Sequence, residues 1–187
     1  TCHSAEGLPF FIEHGVQIEQ PISNGLACET CHTSLENLEL YAIEEVVFPS
    51  GATVSSDDPN ANLCLTCHQG RSSSGTVDAA VEGLEPDAPA ELRFINIHYF
   101  AAGATLFGTE VKGAYEYDGQ TYVGKFAHVQ GIDTCVACHD AHMLEVKAAS
   151  CVGCHPTAVD AETLDTIRGP SSTADYDGDG DTDEGIA

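Results

Sequence analysis

Apolar positions along this chain come in short groups broken by turn-forming residues, which predicts brief elements joined by loops. The run Glu44-Glu45-Val46-Val47-Phe48 reads as a strand, and the Pro49-Ser50-Gly51 that follows turns it into a short hairpin over 44–53. Residues 114–126 carry two alternating arms around Asp118-Gly119, the strongest hairpin signal in the chain, with Tyr115, Tyr117 and Tyr122 as cross-strand pairs. Ala161 to Arg168 reads as a short helix capped by Asp160. Asp57-Asp58-Pro59-Asn60 and Glu85 to Pro89 read as surface turns. No apolar run reaches the roughly eighteen residues of a membrane-spanning helix, so the chain is expected not to span a membrane.

The cysteines change this picture. Cys28-Glu29-Thr30-Cys31-His32 has the same five-residue pattern as Cys64 to His68, Cys135 to His139 and Cys151 to His155. Cys-x-x-Cys-His is the signature of covalent haem attachment: the two thiols add to the vinyl groups of one porphyrin edge, and the following imidazole ligates the iron. The expected attachment pairs are Cys28 with Cys31, Cys64 with Cys67, Cys135 with Cys138, and Cys151 with Cys154. Structural zinc is the competing use of paired cysteines, but zinc chemistry does not require a histidine after each second cysteine. With 9 His in 187 residues, chance would place one after all four pairs roughly 5 times in a million. A disulfide framework explains the histidines no better, because Cys-x-x-Cys bridges are solitary and redox-active rather than repeated.

The ninth cysteine opens the chain as Thr1-Cys2-His3, the last three residues of a fifth such motif, and points to a segment of a longer multihaem polypeptide. The alternative is a free or singly bonded Cys2 thiol, with His3 ligating another haem. The expected cofactors are therefore four complete haem c groups and a fifth at Cys2-His3.

The histidines divide into two sets. His3, His32, His68, His139 and His155 follow motif cysteines and are proximal ligands; His14, His98, His128 and His142 remain as distal candidates. Four distal histidines for four complete motifs is the stoichiometry of bis-histidine iron. Six-coordinate iron passes electrons through its porphyrin edge, so the expected role is electron carrier, not enzyme. Two imidazoles also imply low potentials, and Met143, the one methionine, reads as a packing residue. If the stretch from His139 to His142 is helical, both side chains lie on one side of a turn and His142 serves a neighbouring haem. A fifth haem at His3 leaves the distal set one short, so that a neighbouring subunit supplies a ligand or one haem is open. An open haem would make a multihaem reductase, the second reading.

Composition fits a haem-cored protein. Aromatics make up 7% of the chain, Trp is absent and Gly numbers 18, a poor basis for a core built from side chains alone. Porphyrin plates would supply most of the core, and the apo-chain is expected to be largely unfolded. The expected fold class is mostly irregular, with short helices and a few small β-hairpins. Six Lys+Arg against 30 Asp+Glu give a formal charge of -24, which disfavours nucleic acid and anionic membranes as partners and suits either a secreted protein whose acidity serves solubility alone or one with cationic partners, metal ions or mineral surfaces.

Gly169-Pro170-Ser171-Ser172 separates a cytochrome domain, 1–169, from an acidic tail, 170–187. Asp175, Asp177, Asp179 and Asp181 alternate as in a calcium loop, with Gly180 at the sixth position. Ile186 stands where the twelfth-position bidentate Glu belongs, so calcium binding and a disordered acidic linker are both readings of this tail. The tail resembles dockerin-type calcium repeats appended to secreted proteins.

With the motifs in place, Asn62 to Arg71, Asn96 to Leu106 and Cys135 to Lys147 resemble the multihaem c-type cytochromes that metal-reducing bacteria place in the periplasm and on the cell surface; the resemblance covers roughly 1–157. It implies haem attachment outside the cytoplasm, an extracellular or cell-surface location with the periplasm as alternative, and other redox proteins or mineral acceptors as partners. Some relatives form extracellular cytochrome filaments, a nanowire arrangement in which a histidine of one copy ligates a haem of the next.

Overall fold

The computed structural model describes residues 2–15, 19–84, 92–125, 128–164, 167, 173, 175, 178–180 and 182. Helices are short: α1 Gly7–His14, α2 Cys28–Cys31, α3 Pro59–His68, α4 Ser74–Val81, α5 Ala102–Phe107, α6 Cys135–Cys138 and α7 Ala161–Leu164. Strands come as two antiparallel hairpins, β1 Val46–Val47 with β2 Thr53–Val54, and β3 His139–Asp140 with β4 Glu145–Val146. The fold is mostly irregular, as composition implies. Its contacts divide it into two units, Thr1–Phe126 and Ala127–Ala187. The boundary expected at 169/170 lies outside the described residues.

In the first unit the hairpin at 46–54 forms where the strand run and Pro-Ser-Gly turn place it, with Gly51 at φ 84°. Val46 and Phe48 turn inward and meet Leu65 of α3, Phe107 of α5 and Val111, the Phe48 and Phe107 rings lying edge to face at 5.9 Å. Asn62 ties α3 to the chain before β1. Its side-chain NH2 donates to the Ile43 and Glu44 carbonyls, and its oxygen accepts from the Ser56 amide, so this buried amide is satisfied on both sides.

Three expectations are corrected. Asp58-Pro59 is not a free turn but the start of α3: the Asp58 carboxylate accepts the Asn60 N–H, and Pro59 takes the first helical position. Around Asp118-Gly119 the turn forms, with Gly119 at φ 78° and the Gln120 amide bonded to the Tyr117 carbonyl, but among the described residues no ladder joins its arms. Gly124 instead bridges Gly108, the Val123 carbonyl accepts the Thr109 N–H, and the Glu110 carboxylate accepts the Lys125 N–H. Long-range partners thus outcompete local pairing. Finally, His139 to His142 is strand and turn, not helix.

In the second unit, the β3–β4 hairpin runs from one motif to the next. His139 faces Val146 across the ladder, the Lys147 amide donates to the Cys138 carbonyl, and Lys147 Nζ donates to the Val136 carbonyl. A 3-10 turn, Ala148–Ser150, then delivers the chain into Cys151. The Asp160 carboxylate caps α7 through the Thr163 N–H and hydroxyl, as expected; Arg168, its expected end, lies outside the described residues. In the tail, the Asp175 carboxylate accepts the Gly178 and Gly180 amides, while Asp177, Asp181 and Ile186 lie outside the described residues.

Candidate haem sites

Three of the complete motifs are single turns in their own right. In Cys28–His32 and Cys151–His155 the histidine N–H closes on the carbonyl of the first cysteine at 2.9 and 2.8 Å, and His139 closes on Cys135 in the same way. The fourth, Cys64 to His68, forms the end of α3. Residues three apart on a helical turn share a face, so both thiols of a pair are presented together, with the histidine just beyond them.

The pair Cys151 and Cys154 departs from the other three. It lies in a hydrogen-bonded turn and not in a helix, with the Cys154 N–H donating to the Cys151 carbonyl at 3.1 Å. The 3-10 turn Ala148–Ser150 leads straight into it. Cys154 is exposed and Cys151 half-buried, so the thiol next to His155 is the more open of the two.

The imidazoles are prepared for metal. A carbonyl oxygen can only accept, so the ring nitrogen bonded to it carries the proton. His32 Nδ1 donates to the Leu38 carbonyl at 2.8 Å, His68 Nδ1 to the Phe100 carbonyl at 2.7 Å, and His14 Nδ1 to the Phe10 carbonyl at 3.0 Å. In each ring the lone pair is then on Nε2, the tautomer an iron ligand needs, and the outer hydrogen bond fixes ring orientation. Leu38 and Phe100 hold φ of 56° and 52°, left-handed values uncommon for such side chains, and these are the residues whose carbonyls meet the imidazoles. His14 ends α1 and stacks on Phe10 with ring centroids 4.1 Å apart.

Two pairs of imidazoles lie close together, one edge-on and one tilted. In the first unit His3 Nε2 and His98 Nε2 are 3.5 Å apart, with ring centroids at 5.8 Å. In the second, the His128 and His155 rings are 6.1 Å apart. His142 sits in the turn after β3, its amide donating to the Asp140 carboxylate.

No disulfide joins any of the nine cysteines. Cys2 Sγ lies 3.9 Å from the Cys67 carbonyl oxygen. As free thiols the two interact: a hydrogen bond from Cys67 draws Cys2 down to about 6, and the same bond drives Cys67 up. Burial raises Cys31. It also raises Cys138, reinforced by the nearby Cys151 and Cys135 thiols, which marks the second unit's two motifs as neighbours. Among the described residues, no three His, Cys, Asp or Glu side chains converge as a metal cluster.

Apolar side chains accompany these positions. Ile22, Leu38, Phe94, Tyr99, Phe100, Met143 and Leu144 are between 61 and 89% exposed. Tyr99, Phe100, Met143 and Leu144 each lie within two residues of a histidine. Met143, expected to pack, is thus on the surface. Exposed apolar surface of this extent marks a ligand or partner site. Thiols paired on one face, imidazoles with Nε2 available and flanking apolar surface fit a covalently attached porphyrin.

Sequence comparison agrees. Over 155 residues, 74% of this chain, it is 32% identical to the C-type polyheme cytochrome OmcB of Geobacter sulfurreducens. Over 148 residues, 71% of this chain, it is 33% identical to the C-type polyheme cytochrome OmcC of the same organism. That homology supports a multihaem c-type cytochrome. The aligned parts span 19% and 17% of those two proteins, so the chain corresponds to less than a fifth of either. No family model matches the chain, and no solved structure matches it.

The His3–His98 and His128–His155 pairings are not legible in sequence, since 95 and 27 positions separate their members. Nor are the Leu38 and Phe100 carbonyls, because no glycine announces their backbone conformation.

Proposed function

We propose that this chain is a segment of an electron conduit, holding c-type haems at Cys28–His32, Cys64–His68, Cys135–His139 and Cys151–His155, with a further haem at Cys2-His3. Haem supplies the one-electron iron couple; the chain supplies attachment, axial ligands and spacing. Anchoring of Nδ1 on a backbone carbonyl at His32, His68 and His14 carries this reading, because it fixes each Nε2 as a ligand before any iron is bound. Bis-histidine ligation closes the iron to substrates and keeps potentials low, which suits relay over turnover.

Spacing supports the relay. In the first unit Cys2 Sγ lies 3.9 Å from the Cys67 carbonyl oxygen, and in the second the β3–β4 hairpin joins two motifs that together span 21 residues. Among the described residues no helix is long and apolar enough to cross a membrane. The acidic surface favours cationic or mineral acceptors, and the proposed location is extracellular or at the cell surface, with copies of the chain or other redox proteins as partners.

The test is spectroscopy of protein matured with covalent haem. Intact mass should give four or five haems, and electron paramagnetic resonance should be dominated by low-spin bis-histidine iron. Carbon monoxide binding at most haems would favour a reductase and overturn the relay; absence of a Soret band would overturn the haem reading. Electron microscopy of the native material would show whether copies join into filaments.

A further inference from the structure

We propose that His98 is the distal ligand of the iron whose proximal ligand is His3, and that residues 96–100 form a strap shared between that haem and the one at Cys64–His68. This assignment rests on the multihaem reading and extends it to a site whose ligand pairing the motifs leave open.

The distance is the first argument. Imidazole nitrogen lies about 2 Å from a first-row transition metal, so two imidazoles on opposite sides of one ion present nitrogens about 4 Å apart. His3 and His98 present Nε2 to Nε2 at 3.5 Å, beyond the 2.7–3.2 Å of a good protein hydrogen bond and close to what a shared metal requires.

The backbone is the second argument. His98 holds φ of 87°, outside the conformations non-glycine residues ordinarily adopt. Such a residue persists only where its surroundings fix it. Here the Asn96 side-chain oxygen accepts the His98 N–H at 2.8 Å, the Ile97 carbonyl accepts the Arg71 N–H at 2.9 Å, and the Asn96 carbonyl accepts the Ser72 hydroxyl at 3.2 Å. Gly70, at φ 84°, completes the seat: a Cβ there would lie 3.1 Å from Ile97 Cγ1.

The third argument is what the same strap does two residues later. The Phe100 carbonyl accepts the His68 Nδ1–H, so one short segment supplies an axial nitrogen at His98 and an orienting carbonyl at Phe100. Cys2 Sγ, 3.9 Å from the Cys67 carbonyl oxygen, also brings the attachment points of the same two haems together.

A consequence follows for the count. With His98 committed to His3 and His128 facing His155, only His14 and His142 remain for His32, His68 and His139. One complete motif therefore has no distal histidine within this chain, and its sixth position is filled from elsewhere or open.

The test uses the haem-loaded protein in four forms: wild type, His3→Ala, His98→Ala and the double variant. Haem number is read by intact mass, and open sites by the carbon monoxide difference spectrum of the reduced protein. His98→Ala should keep the wild-type haem number and add one carbon monoxide-binding haem. Whether or not His3→Ala retains its haem, the double variant should bind carbon monoxide at no more haems than His3→Ala does. One additional binding haem in the double variant would place His98 on another iron and overturn the pairing. His98→Met, which offers a thioether ligand, should close the site again and raise the potential of one haem; unchanged potentials would also overturn it. A wild-type protein without covalent haem would instead overturn the multihaem reading, so the two failures are distinct.

Discussion

His68 donates its Nδ1 proton to the carbonyl of Phe100, a residue 32 positions away whose backbone lies at φ 52°. The carbonyl, not the side chain, makes this contact, and the Phe100 ring is 84% exposed. Substitution should therefore act through backbone conformation. Phe100→Gly suits a positive φ and should leave stability within about 1 kcal/mol of wild type. Phe100→Pro fixes φ near -65° and swings the carbonyl away, at a cost of about 3 kcal/mol or more and with a shifted potential at one haem. Thermal melting and a potentiometric titration of the haem-loaded variants check both. Similar behaviour in the two variants would rule out the carbonyl as the active element.

α5 crosses α3 at Gly103, where an added Cβ would stand 2.6 Å from Leu65 Cδ2 and 2.9 Å from the His68 carbonyl oxygen. Gly103→Ala should push the helices apart and lower stability by about 1–3 kcal/mol, the usual range for overpacking. The displacement acts at the motif histidine, so the spectrum of one haem should broaden with it. Gly25→Ala, where a Cβ meets nothing within 4 Å, is the control and should melt with the wild type. Denaturation curves followed at the Soret band and by far-UV circular dichroism compare the pair.

Much of this is written locally. The Cys-x-x-Cys-His motifs fold as turns because five adjacent residues suffice to define them, and the 46–54 hairpin follows from its strand run and turn. Cys64 to His68 goes beyond that rule, since it is the last part of the ten-residue α3. The start of α3 is legible as well, because Asp58-Pro59 is a cap followed by a first-turn proline, although the same residues also suit a surface turn. The arms around Asp118-Gly119 have the right alternation and still do not pair, because Gly124 and Val123 find Gly108 and Thr109. Histidine chemistry is visible from residue type; histidine geometry is not. His98 and Phe100 reach their partners through positive φ at residues that carry no glycine signal, held by Asn96, Arg71 and Ser72.

The protein core and a haem motif share α3. Leu65 lies between Cys64 and Cys67, is 3% exposed and packs with Val46, Phe48, Phe107 and Val111. Val136 has the same place in its own motif but is 40% exposed. Leu65→Ala should cost about 2–5 kcal/mol, whereas Val136→Ala should change stability by about 0.5 kcal/mol or less. Chemical denaturation of haem-loaded protein separates them. So small a core also predicts that chain made without haem maturation lacks near-UV circular dichroism and is cleaved rapidly by protease; a well-folded apo-chain would show that haem is not the larger part of the core.

The Asp160 carboxylate holds α7 at its start. The Thr163 hydroxyl donates to it at 2.7 Å and the Thr163 amide at 2.9 Å, and these bonds, the hydroxyl's first, hold its pKa below the ordinary aspartate value. Folding therefore favours the ionised form. The cap's contribution is fully present above the unfolded aspartate value of about 3.9 and is lost as pH falls through the lower folded value. Amide exchange at Thr163 should be protected near neutral pH and lose that protection on acidification below about pH 4. Asp160→Asn keeps an acceptor oxygen but cannot titrate, so its protection should be weaker at neutral pH and flat across the acid range. Exchange measured by NMR at stepped pH reads this directly. A wild-type profile as flat as that of Asp160→Asn would assign the cap to the backbone and not to the carboxylate.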